Sequence, residues 1–230
     1  MAAKAQSGYN YQEWGIGAGA SYQRGYTNIQ RQYNDPGFNL NVIYNYNPYL
    51  PVEAELQFGK LSGGGTTVNL DPFGRKYVNN YKALIVHADF QLGGAIDYSD
   101  SWFLNAVKNF YAGLGIGLVD NDNTVQRTNV IASNGPLTYV FPGTDSSINV
   151  DLVFRVGYEF KIFDDYNEPA FAIDLNYIHS IVFDSGLDGY NDNRAEFKHN
   201  SEDQYRQFNI GFKYYFGHVT SYTKLIRQFN

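Results

Sequence analysis

Cysteine is absent from the 230 residues, which removes disulfides, thiolate metal sites and thiol nucleophiles in one step. A continuous apolar run of about 18 residues is also missing, so no helix can cross a bilayer. Mean hydropathy is −0.40. Charge is sparse and slightly acidic, with charged residues at 17% and a formal net charge of −6; no basic face is available for nucleic acid. The sequence contains no Gly-x-Ser-x-Gly elbow, no His-Glu-x-x-His and no phosphate loop, and has only four His. It therefore predicts neither an enzyme nor a cofactor or metal protein.

What is plentiful is aromatic surface, with 21 Tyr and 17 Phe. Rings with an apolar body and a polar tip are favoured where hydrocarbon meets water. The sequence places them with period 2. Phe208, Ile210, Phe212, Tyr214 and Phe216 fall on one face of a strand while Gln207, Asn209, Gly211 and Lys213 fall on the other. The segment 150–162 repeats the pattern more sharply, because Asp151, Arg155, Glu159 and Lys161 share the face opposite Val150, Leu152, Phe154, Val156, Tyr158, Phe160 and Ile162. Charges inside and hydrocarbon outside describe a membrane barrel; a lipocalin-like soluble barrel needs the inverse.

Six more segments read as strands, at 12–26, 38–46, 51–61, 80–92, 110–119 and 170–182. The expected fold is an eight-stranded antiparallel up-and-down transmembrane β-barrel with its N- and C-termini on the periplasmic side. Glycine rows at Gly15, Gly17 and Gly19 and at Gly113, Gly115 and Gly117 point to a lumen crowded by larger side chains such as Tyr or Arg. Short links at 47–50 and 163–168 alternate with long polar ones at 27–37, 62–79, 120–149 and 183–203, as expected of turns on one side and loops on the other. The link 94–109 departs from this scheme and suggests a helical turn capped at Ser99 or Ser101, placed as an interfacial foot.

Three regions result. Residues 1–11 form a signal-peptide remnant or N-terminal extension, from the small-residue pattern Ala3-Lys4-Ala5 before Gln6; residues 12–216 form the barrel; residues 217–230 form a periplasmic tail, disordered or extending the last strand. Within the tail, Lys224 and Arg227 are candidate contacts for a periplasmic or membrane partner.

An eight-stranded barrel is narrow enough for side chains to fill. The inward register collects Glu53, Glu55, His87, Asp89, Asp151, Arg155, Glu159, Lys161, Asp174 and Lys213, charges of both signs able to neutralise one another. A porin is therefore disfavoured. His87 and Asp89 share a face and form a structural hydrogen-bonding pair before a cation site. Glu53 and Glu55 also share a face, but paired-carboxylate catalysis needs a saccharide cleft inside the barrel. His179-Ser180 suggests a lipid hydrolase, although neighbouring strand residues point to opposite faces. Asp120, Asn121, Asp122 and Asn123, and Asp184, Asp188, Asn191, Asp192 and Asn193, offer oxygen ligands but no EF-hand spacing, so solvated loops are expected. Tyr139, Phe141, Tyr190 and Phe197 either pack locally or form a recognition surface.

The alternating strands, the glycine-rich first strand and the aromatic finish at 208–216 resemble the outer-membrane β-barrel superfamily that includes the outer-membrane protein A-type transmembrane domain. The segment Tyr44-Asn45-Tyr46-Asn47-Pro48-Tyr49-Leu50-Pro51-Val52-Glu53-Ala54-Glu55, followed by Phe58-Gly59-Lys60-Leu61-Ser62-Gly63, also resembles small barrels that accompany type IX secretion. The resemblance implies residence in a Gram-negative outer membrane among lipid and lipopolysaccharide. It further implies insertion by the barrel-assembly machinery, with Phe208, Ile210, Phe212, Tyr214 and Phe216 as the assembly signal. The expected role is a non-enzymatic structural or accessory subunit of an envelope complex for transport or secretion. A conduit for small solutes or hydrophobic ligands and a lipid-modifying enzyme are the alternatives.

Overall fold

The computed structural model describes residues 9–99, 101–184, 186–191 and 202–224. Eight strands alternate with links: β1 (Tyr9–Tyr26), β2 (Asn34–Asn47), β3 (Leu50–Gly64), β4 (Lys76–Gln91), β5 (Phe110–Val125), β6 (Ser146–Phe163), β7 (Pro169–Val182) and β8 (Asp203–Tyr222). Each pairs antiparallel with its neighbours in sequence, and β1 pairs with β8, so the sheet closes and no edge is left unpaired. The even strand number brings both described chain ends to one end of the barrel. The long loops close the other.

The wall follows from the alternation. On β8, Gln207, Asn209 and Lys213 are buried in the lumen, while Phe208 at 66% exposure and Phe216 at 39% bracket an outward apolar row. Outward aromatics gather at two heights. At the end carrying the termini, Trp14 packs on Tyr44 (5.1 Å between centroids), Phe110 on Tyr158 (4.7 Å) and Phe171 on Tyr214 (5.2 Å). Towards the loops, Phe38 stacks on Phe58 (4.9 Å) and Tyr177 on Phe208 (5.1 Å). Between these girdles the outer face is aliphatic, with Ile16, Leu40, Val42, Leu56, Leu84, Val86, Leu114, Ile116 and Leu118 exposed. Cross-strand ring pairs of this kind stabilise a sheet, and two aromatic girdles around an apolar band match a lipid bilayer.

Strand boundaries extend beyond the sequence reading at most strands, with β2, β3, β4 and β6 each running three or four residues into segments expected as loops. Residues 9–11, expected in an N-terminal extension, belong to β1, and β8 continues past Phe216 to Tyr222, so that of the two forms expected of the tail its described part takes the strand-extending one. The two ends hold each other: Tyr9 pairs with Tyr222 and Asn10 with Ser221, while Ser221 Oγ donates to Asn10 Oδ1 (2.9 Å) and Thr220 Oγ1 to Glu13 Oε1 (3.0 Å). Polar side chains on both faces erase the hydrophobic alternation there, but the backbone ladder continues. For the same reason β5 runs through residues 120–125, expected as loop, with Asn121 and Asn123 buried in the lumen. Residues 1–8 and Arg227 lie outside the described residues.

The link after β4 contains a helix α1 (Trp102–Val107), capped by Ser101, whose Oγ accepts from the Leu104 amide (3.3 Å). The cap is Ser101, not Ser99. Trp102 stands out at 81% exposure beside Phe103.

Candidate functional site: the charged lumen

All ten inward residues anticipated from the alternation do face the lumen, with nine fully buried and the Lys161 side chain at 7% exposure. They form two linked clusters. In the first, Lys213 Nζ from β8 lies 2.5 Å from Glu53 Oε1 of β3, 2.8 Å from Glu159 Oε1 of β6 and 3.5 Å from Asp174 Oδ2 of β7. Asn41 donates to the other Glu53 oxygen, Gln91 Nε2 to Glu159 Oε2 (2.5 Å), and Tyr111 OH to Asp174 Oδ1 (2.9 Å). In the second, Arg155 Nη1 donates to Glu55 Oε2 (2.9 Å), and its Nε is 3.5 Å from Asp89 Oδ2. His87 sits between the same carboxylates, Nε2 3.6 Å from Glu55 and Nδ1 3.3 Å from Asp89. The expected His87–Asp89 pair therefore exists, but as part of a larger group.

Lys161 closes the end that carries the termini, donating to Gln91 Oε1 (2.8 Å) and the Pro48 carbonyl (3.1 Å). Asp151 sits highest, accepting from Tyr205 OH (2.9 Å). Glu53 and Glu55 turn to different cations and share no cleft. Ion pairs removed from water repay their desolvation best when the remaining lone pairs are also bonded; amide and phenol donors do this for Glu53, Glu55, Glu159 and Asp174, while Asp89 Oδ2, Asp151 Oδ1, His87 Nε2 and Arg155 Nε have no hydrogen-bond partner among the described residues.

Of the neutral rungs, sequence reasoning placed Gln207 on the inward face and missed Gln23, Gln57 and Tyr81. Gln57 Nε2 donates to Glu55 Oε1 (2.6 Å), Gln207 Nε2 to Gln57 Oε1 (2.8 Å) and Tyr81 OH (3.1 Å), Tyr81 OH to Gln23 Oε1 (2.6 Å), and Gln23 Nε2 to the Lys60 carbonyl (3.1 Å). Asn79, Asn121 and Asn149 continue the chain towards the loops. The inward parity of these positions was the available signal. The glycines make room for Asn and His from the adjacent strand: a Cβ on Gly17 would stand 2.3 Å from Asn41 Oδ1, and one on Gly115 would stand 2.6 Å from His87 Cβ. The expected crowding by Tyr appears within the predicted rows at Gly15, against Tyr215 (2.9 Å), and outside them at Gly157, against Tyr111; crowding by Arg appears at none of the predicted rows. The free spaces beside Arg155 and beside Lys161 are each about 10 Å³, no larger than one water requires.

A second closure lies above the first. Phe141 and Tyr190 are buried and meet edge-on at 5.9 Å, with Phe73 and Tyr139 packed on Phe141 at 6.1 and 5.1 Å. Of the two roles open to these aromatics, the described ones take local packing; Phe197 lies outside the described residues. Arg75, paired with Asp71 at 3.0 Å, stands over the rings of Phe141 and Tyr190. Tyr190 OH accepts from the Lys76 amide (3.1 Å) and lies within donating distance of the Gln126 (2.8 Å) and Lys76 (3.0 Å) carbonyls. Burial raises its phenol pKa, keeping it a donor. Asp188 accepts from the Tyr190 amide (3.0 Å), while Asp120 and Asp122 project outward from β5, away from Asn121 and Asn123.

Two further candidates separate. His179 faces outward and Ser180 the lumen, so they cannot act as base and nucleophile. Lys224, proposed as a partner contact, folds back on its own barrel, donating to the Gly93 carbonyl (2.5 Å) and to that of Ile96, and partial burial lowers its pKa.

Comparison with known proteins agrees with this architecture. The family described as outer membrane protein beta-barrel domain matches residues 1–216. Among solved structures, Neisserial surface protein A is similar over 89% of this chain and 97% of its own, at 11% identity and a TM-score of 0.50. Ail, the attachment invasion locus protein of Yersinia pestis, is similar over 90% of this chain and 99% of its own, at 16% identity and a TM-score of 0.45. OprG of Pseudomonas aeruginosa covers 92% and 99%, at 11% identity and a TM-score of 0.35. No curated protein sequence matches. With the wall built for lipid, the lumen for charge and the family matched over nearly all of the chain, this protein belongs to the outer membrane β-barrel family and resides in the outer membrane of a Gram-negative bacterium.

Proposed function

We propose that this barrel is a non-conducting, non-enzymatic structural or accessory subunit of an envelope complex for transport or secretion, acting through its rims and outer wall. The observation that carries the reading is the filled lumen: ten ionisable side chains and their amide and phenol partners leave spaces of about 10 Å³. A conduit needs a continuous path, and a lumenal enzyme needs room for a substrate. In this reading the chain ends and α1 face the periplasm, the long loops face outward, and the outward row Phe208–Phe216 of β8 is read by the assembly machinery during insertion. Apart from the helical link 92–109, the links at the end carrying the chain ends are short and those at the other end are longer, which supports that orientation.

Gentle detergent extraction from native outer membranes, followed by size separation and identification of the co-migrating chains, tests the accessory role. Recovery in one stoichiometric complex that survives repeated separation is the expected result. Recovery alone, as a heat-modifiable monomer, would sink the accessory role and leave an independent barrel.

A further inference from the structure

The lumenal charges find partners, yet among the described residues two arginines on the outside do not. Arg24 of β1 and Arg206 of β8 are direct cross-strand partners, and Arg206 is in turn paired with His179 of β7. All three point away from the lumen. Like charges directly opposite on a sheet repel. Among the described residues neither arginine has an ion-pair partner, and the Nε of each is buried without a hydrogen-bond acceptor. The nearby Glu202 carboxylate accepts from the Asp184 amide (3.2 Å). Both guanidinium groups stand over the ring of Tyr26, Arg206 at 4.2 Å and Arg24 at 5.5 Å from its centroid, which holds them side by side.

Two residues closer to the bilayer centre on the same strands lies the loop-side girdle, Tyr22, Phe208 and Tyr177, about 7 Å away along the strand. A shallow, open groove starts there and runs down the outer wall between Val156, Tyr158, Leu175, Tyr177, Phe208 and Ile210. A cationic fork above an apolar groove, separated by one row of rings, has the shape of a single amphiphile with an anionic head.

We propose that Arg24, Arg206 and His179 bind the phosphate of an acylated lipid, one chain of which lies in the groove beneath. The planar guanidinium groups suit phosphate oxygens, and one anion between them turns the cross-strand repulsion into attraction. The identity of the leaflet rests on the orientation given above, in which the site meets the outer leaflet and its phosphorylated glycolipid; the chemistry of the site does not.

Native mass spectrometry of the folded full-length protein in detergent tests the site, titrating with diphosphoryl lipid A, its dephosphorylated form and inorganic phosphate. Diphosphoryl lipid A is expected to bind at one per barrel, and the dephosphorylated form on the order of tenfold more weakly. The double variant R24Q/R206Q should lose a similar factor while keeping heat-modifiable migration, and Leu175→Trp, which fills the groove without touching charge, should also weaken binding. Equal binding by R24Q/R206Q, or by the dephosphorylated lipid, would overturn the proposal; so would displacement by inorganic phosphate at equal concentration, which would mark a soluble-anion site. Orientation is tested separately by Thr66→Cys, the single thiol in the chain, with an impermeant maleimide on intact cells: labelling places the long loops outside.

Discussion

Lys213 shows how much the lumen depends on individual side chains. Its ammonium serves Glu53, Glu159 and Asp174 together, so removing it leaves three buried carboxylates without their shared cation. Lys213→Met should cost about 3–5 kcal/mol, read as a lower urea midpoint for the heat-modifiable form. Lys161→Met should cost clearly less, because Lys161 sits at the mouth and reaches Glu159 only at 3.8 Å. An equal loss for the two would mean that position in the network does not matter. The glycines make a second comparison. A methyl at Gly115 meets His87 Cβ at 2.6 Å and the Val86 carbonyl at 2.9 Å, whereas one at Gly211 meets nothing nearer than 3.7 Å. Gly115→Ala should therefore destabilise by about 1–3 kcal/mol, and Gly211→Ala should be neutral or stabilising in the same assay. The ionic residues were legible in the sequence because a charge opposite an apolar row has only one place to go. Gln23, Gln57 and Tyr81 carry only their inward parity, a weaker mark, since neutral polar residues occur on either side of the wall near its rims.

At the level of elements, period 2 located all eight strands within the bilayer and lost their ends outside it. Where lipid no longer demands an apolar outer face, β5 can carry Asp120 and Asp122 outward and Asn121 and Asn123 inward, and the pattern reads as loop. The ladder persists because closure leaves every strand a partner, and that long-range pairing is invisible in a local window. The loop cap was equally hidden, since it joins Phe73, Phe141 and Tyr190 from three separate links. Tyr190 is its fastening: one hydroxyl bonds backbone at the start of β4 and after β5. Tyr190→Phe keeps the ring and removes these bonds. It should leave barrel stability nearly unchanged, within about 1–2 kcal/mol, while cleavage in the segment 126–145 by a protease added to the folded protein becomes faster. Unchanged cleavage would show that ring packing alone holds the cap.

For the whole molecule, the outer wall and the lumen answer different requirements with the same strands. From Phe208 to Phe216 β8 advances by eight steps, about 27 Å along the strand and about 21 Å along the barrel axis at the usual tilt, a few ångström under the band of about 25 Å typical of outer-membrane barrels before the girdle rings at each end are added. Inside that span the ion-pair clusters close the lumen, and the aromatic cap closes it again above. Two barriers in series fix what a mutational test of conduction should find. Shortening the link 126–145 to a tight turn removes Phe141 and Tyr139 from the cap, yet the Arg155 and Lys213 clusters still fill the lumen below, so planar-bilayer recordings should remain without discrete steps. Arg155→Ala with Lys213→Ala opens the lower barrier alone and should also stay silent, provided the protein still folds as judged by heat-modifiable migration. Only the combination should conduct. Discrete steps from the shortened loop by itself would mean that water already threads the ionic layer, and the barrel would then have to be reconsidered as a gated conduit whose cap is the gate.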